Sequence, residues 1–288
     1  MIWFKRFNFI FSVFLTFILL EILAWRVSLI LGVILGSSLI ILFSVWRIIP
    51  KSISIRKELA QEKSFFYKFK KIIKLSSENK NYIFFIAPLI LFLGSVAFVL
   101  LQSNPWIIHL MIILFCFFYF LFLESLFFYF YPDSLKVRES LEKFGSLKEY
   151  FLENIFTVIN LVSLFLIYSA CFSLSPLFNF SVIFIISLIV IFTFLSNIQL
   201  FFIYQIPKNT NYLYNIIITI IIVEIFWAIM FLPISFYVNG LTLAVVYYAL
   251  VGTIYFHVKG TLDKVKIIRH LTVSCVVIIL AIATARWV

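Results

Sequence analysis

An all-α, polytopic membrane fold is predicted by three features of the chain. The first is composition: of 288 residues, 64% are hydrophobic and only 12% charged, and the mean hydropathy is +1.16. A soluble domain of that make-up would present too much apolar surface to stay dispersed. The second is the recurrence of charge-free runs, each able to cross a hydrocarbon layer of about 30 Å with about 20 residues. The third is their texture. The runs are continuously apolar, whereas barrel strands would alternate polar and apolar positions.

Nine spans follow in order: 3–21, 27–46, 82–101, 106–130, 152–172, 179–204, 213–231, 240–257 and 271–287. The first follows a basic start, MIWFKRFNF, and no small-residue cleavage site succeeds it, which predicts a retained span. Between spans one and two the chain must turn within Glu21 to Ser28, and Glu21 and Arg26 are placed to pair there. Pro88 falls in the opening turns of span three, where a missing N–H costs less. Ser28, Gly32 and Gly36 in span two, and Gly240, Ala244 and Gly252 in span eight, form small-residue stripes suited to close helix approach. No internal repeat supports an inverted-repeat transporter architecture. The chain reads as one integral membrane domain, 1–288.

Charge orients that thread. With the N-terminus inside, 21 of the 23 Lys and Arg residues fall on the inner side, and only Arg26 and Arg286 fall outside. A wrong span count would scramble this partition. The expectation is therefore a bacterial-type cytoplasmic membrane, N-terminus inside and C-terminus outside.

The largest inner segment, residues 51–80, is basic and amphipathic. Ile55, Leu59, Phe66, Phe69 and Ile73 share one face at helical spacing, while Lys57, Lys68, Lys71 and Lys74 lie elsewhere. The pattern suits a short cytoplasmic helix in the headgroup layer with lysines toward anionic lipid. A plain topogenic loop reads equally well. Nucleic acid is not an expected partner, because the segment is tethered between spans and its aromatics share the apolar face. Residues 133–150 are nearly charge-balanced, with Asp133 or Ser134 able to cap a short helix. In FHVKGTLDKVKIIRHL the chain turns at Gly260, and Thr261 or Leu262 should open the helix of span nine. His257, Lys259, Arg269 and His270 stand near the inner interface, where they could meet a phosphate group or could simply cluster by chance.

Polar groups within the spans are the remaining candidates. Glu124 stands in YFLFLESLFFYFYPDS and Glu224 in NIIITIIIVEIFWAIM, with no Lys or Arg at comparable depth. A charge at the centre of a span costs about 3 kcal/mol on insertion scales. Each acid should therefore face the bundle or stay protonated. Asn197 and Gln199 in span six share the inner-third depth of Glu124, and Asn160 in span five reads as closer to Glu224. Glu124 paired with Asn197 is the most economical arrangement, since a neutral acid and an amide satisfy each other.

Catalytic and cofactor signals are lacking. No G-x-S-x-G, H-E-x-x-H, Gly-rich phosphate loop or Asp-rich metal motif occurs. Cys116, Cys171 and Cys275 lie in separate runs, unsuited to a zinc site or structural disulfide. His109 is a lone interfacial histidine of structural type. The favoured expectation is a structural or assembly component of the membrane, without enzyme activity or cofactor, whose partners are anionic headgroups and another membrane protein. A small-solute or ion transporter using the intramembrane carboxylates is the alternative, and a lipid-headgroup enzyme the third.

Overall fold

The computed structural model describes residues 2–49, 81–131, 145–260 and 264–285. The basic amphipathic segment 51–80 lies outside the described residues, as do most of segment 133–150 and the expected helix start at Thr261 or Leu262. Nine α-helices are present among the described residues, one for each expected span. They are α1 (Ile2–Trp25), α2 (Ile30–Ile48), α3 (Ile86–Leu101), α4 (Pro105–Phe130), α5 (Gly145–Phe178), α6 (Val182–Ile203), α7 (Lys208–Ile229), α8 (Phe236–Val258) and α9 (Lys264–Ala283). Eight are long and apolar enough to cross a membrane, and the apolar part of α9, Ile267–Ala283, is shorter.

Local chemistry sets the ends. The first hairpin does turn: α1 stops at Trp25 and a single 3-10 turn, Val27–Leu29, leads into α2. Glu21 does not pair with Arg26 as expected. It reaches across to α4, where its Oε2 lies 2.9 Å from His109 Nδ1. Pro105 opens α4 at the position that needs no N–H, and the Asn104 side chain caps it by accepting from the Trp106 N–H at 3.0 Å. Ser181 caps α6 from Phe184 N–H. Gly260 closes α8 with φ of +65°, the left-handed geometry that glycine adopts without strain.

Two helices form the centre. In α3 and α5, 67% of the apolar span is buried, against 22–33% in the other long spans. They lie against each other at Gly94, where an added Cβ would come within 2.9 Å of Leu166 Cβ. Around α3 pack α1, α2 and α4, and around α5 pack α4, α6 and α8. Next to these, α7 packs on α6 and α8, while α9 packs on α8.

Side-chain contacts give the register. Ser12 Oγ meets Ser44 Oγ at 2.5 Å and Tyr119 OH at 3.0 Å, tying α1 to α2 and α4. Thr157 meets Tyr204 at 2.5 Å and Tyr168 meets Thr193 at 2.8 Å, which fixes α5 and α6 as antiparallel neighbours with a constant offset. Gly240 against Ser169 at one end, and Tyr255 on Glu153 at the other, do the same for α5 and α8. The span-eight stripe thus serves two partners, since Gly252 faces His270 of α9 rather than α5. Gly32 of the span-two stripe meets nothing within 4 Å.

Candidate functional site

At the end of the bundle where Lys259 lies, the starts and stops of three helices build a polar cluster. The phenol of Tyr255 donates to Glu153 Oε2 at 2.7 Å, and Lys259 Nζ donates to Oε1 at 3.5 Å. The same ammonium stands 5.6 Å from the Tyr255 ring centroid, within cation–π range. Tyr204 packs on Tyr255 with centroids 4.5 Å apart and shares a hydrogen bond with Thr157, whose hydroxyl donates to the Glu153 carbonyl. Glu153 is therefore a satisfied carboxylate that knits α5, α6 and α8 together. Sequence reasoning missed it because 153 reads as the polar edge of a span.

Deeper in, neutral polar groups accumulate. Asn160, Ser196, Asn197 and Gln199 are all 0% exposed. Asn197 Nδ2 donates to Asn215 Oδ1 at 2.9 Å, and Asn215 Nδ2 to the Phe194 carbonyl at 3.4 Å, joining α6 to α7. The expected bond from Glu124 to the Asn197 amide oxygen is not made: that oxygen has no partner among the described residues. The physical reason is helix neighbourhood. Glu124 is half-buried on α4, which packs on α1, α2, α3 and α5, whereas Asn197 is claimed by α7.

Asn160 also sits elsewhere in depth than expected. The α5–α6 register sets it level with Phe201, and the Asn197–Asn215 bond sets that level near position 211 of α7. Glu224 lies 13 positions on, about 19 Å along the helix. Nor does Glu224 face the bundle. It is exposed, on the stripe of α7 that also exposes Ile217, Ile220 and Trp227.

The four basic candidates do not converge. Lys259 is committed to Glu153. His257 is exposed and sets its ring edge-on to Tyr214. His270 donates from Nε2 to the Tyr248 carbonyl at 3.3 Å and stacks near Tyr248 and Phe256. Arg269 is exposed on α9. No group of three or more His, Cys, Asp or Glu residues suited to a metal occurs among the described residues.

Among the described residues, nine buried side-chain polar atoms have no hydrogen-bond partner, and eight of them lie between residues 160 and 247. In the amino-terminal helices only Ser37 Oγ is left so among the described residues. That contrast marks α5, α6 and α8 as the part of the chain with unspent binding capacity.

These features define a polytopic helical membrane protein with its buried polar chemistry gathered in the carboxy-terminal helices. Residues 154–284, which hold that chemistry, are similar to a family described as a protein of unknown function (DUF5656). No curated protein and no solved structure matches the chain significantly.

Proposed function

We propose that the protein is a structural or assembly component of a cytoplasmic membrane, seated against another membrane protein through the exposed stripe of α7. The observation that carries this reading is Glu224. Its neighbours on the stripe, Ile217, Ile220 and Trp227, are 42%, 52% and 51% exposed. The carboxyl stands five residues from the end of α7, about 7.5 Å inside by helix rise. It has no hydrogen-bond or ion-pair partner among the described residues. Presented to lipid it would cost up to about 3 kcal/mol, which a covering helix removes. The complementary surface is a transmembrane helix with a cationic or amide donor at that depth and small or aromatic residues around it. Transport through paired carboxylates is less well supported, since Glu224 sits on an outer face of α7, whose packing partners are α6 and α8.

The orientation proposed for this component is N-terminus inside, with anionic headgroups meeting the basic inner segments. The test of the assembly reading is a photo-crosslinking residue at Trp227 in native membranes. A discrete protein adduct is expected, mapping to a transmembrane segment with such a donor, lost in Glu224→Leu and retained in Glu224→Gln. Lipid adducts alone, unchanged by Glu224→Leu, would overturn it.

A further inference from the structure

We infer that the wedge between α3, α5 and α6 is a binding site for a small uncharged molecule that both donates and accepts hydrogen bonds, held by Asn160, Ser196 and Gln199. This goes beyond the assembly reading and does not depend on it.

Register and face place the three side chains together. The bonds Thr157–Tyr204 and Tyr168–Thr193 keep α5 and α6 in step, so Gln199 is level with position 162 and Ser196 with position 165. All three groups therefore lie within about 8 Å along the bundle. On α5, Asn160 shares a stripe with Ser163 and Ile167, both of which abut Gly94 of α3. On α6, positions 193 and 204 meet α5, and Phe194 and Asn197 turn toward α7. Ser196 and Gln199 occupy the opposite flank, the one left to α3, which packs on α6. Two polar walls thus face a third from α3, and at this level α3 offers Ala87, Ile90 and Leu91, all buried and apolar.

The hydrogen-bonding state of the three residues points to a ligand. Asn160 Nδ2 donates to the Phe156 carbonyl, and among the described residues its Oδ1 has no partner and neither Gln199 Oε1 nor Nε2 has one. Ser196 adds a hydroxyl to these amide groups. Several buried serines in the spans turn back to their own helix, as Ser95, Ser125, Ser163 and Ser173 do, whereas Ser196 Oγ, like Ser37 Oγ and Ser169 Oγ, has no partner among the described residues. What sets Ser196 apart is its company: the α5–α6 register brings it within about 8 Å along the bundle of the orphaned groups of Gln199 and Asn160.

The set contains amide oxygens, an amide N–H₂ and a hydroxyl, and no charge. An ion would be stripped of water without a counter-charge, whereas a neutral molecule able to give and take hydrogen bonds would satisfy all four atoms. Water and a small amide or polyol share this chemistry.

The test uses the full chain in lipid nanodiscs, with thermal unfolding as readout. Ser196→Ala and Gln199→Met each remove orphaned groups with little change of shape. If the groups hold a ligand, both variants lose its bonds, and each should lower Tm by about 2–4 °C or more. If they hold nothing, removing them relieves a burial penalty, and an unchanged or raised Tm overturns the site. Should Gln199→Met fail to fold, Ser196→Ala reads the same sign through the loss of one oxygen. Titration with acetamide and with glycerol then separates the sources. A rise in Tm that the parent shows and Ser196→Ala lacks assigns a solute. Absence of that rise, with the variants still destabilised, assigns water.

Discussion

Replacing Gly240 by alanine should prise α8 away from α5. An added Cβ would lie 2.2 Å from Ser169 Oγ, 2.6 Å from its N and 2.7 Å from its Cα. The hydroxyl could rotate aside, but the backbone atoms cannot, and carbon contacts relax only near about 3.5 Å. The helices must therefore part by about 1 Å at this level. A gap of that size forfeits a quarter to a half of the dispersion along the contact, and overpacking of this kind costs about 1–3 kcal/mol. For a chain of this size that is a fall in Tm of about 2–12 °C. The other glycines grade the effect. Gly94→Ala meets Leu166 Cβ at 2.9 Å and the Ser163 carbonyl at 3.3 Å, a milder clash that also involves backbone. Gly252→Ala meets only the His270 ring, which can swing away at the loss of its bond to the Tyr248 carbonyl. Gly32→Ala meets nothing within 4 Å. Thermal melts of the four variants in one detergent should rank Gly240, Gly94, Gly252 and Gly32 in falling order of damage. Coincident melts for Gly240→Ala and Gly32→Ala would refute the packing argument.

Two further outcomes are expected. Tyr255→Phe removes the phenol donor from Glu153 and leaves that carboxylate with Lys259 at 3.5 Å; a loss of about 1.5–3 kcal/mol in chemical unfolding is expected, and it should shrink in a Glu153→Gln background. In a chain with its three cysteines replaced, a cysteine at Ser103 and one at Lys264 should label from opposite faces of the membrane, and labelling of both from one face would overturn the charge-derived threading.

The legible part of this protein is the part dictated by solvent. Apolar runs must become helices wherever backbone groups have no water to bond, so nine runs anticipated the nine helices among the described residues, including the hairpin at Arg26 and the turn at Gly260. The burial of Asn160, Asn197 and Gln199 could be anticipated for the same reason: a polar side chain in a span seeks the interior. Ser12, Ser44 and Tyr119 gave no such signal, because single serines and tyrosines are ordinary in apolar helices and only their meeting makes a cluster.

Partner choice was not legible. Depth along a span can be counted from sequence, but rotation about the helix axis and the identity of neighbouring helices cannot. That is why Glu124 read as a partner for Asn197, when α7 supplies Asn215 instead. For the same reason the sequence left two readings of Glu224, facing the bundle or staying protonated, and the rotation of α7 turns it outward beside Trp227. Sequence by itself determined that each apolar run forms a helix among the described residues and which connecting segments carry charge, since both depend on a local transfer free energy. Only the tertiary structure decided which carboxylates are paired and which amides are left without a partner among the described residues, because these depend on side chains 18 to 106 residues apart arriving at one level of the bundle.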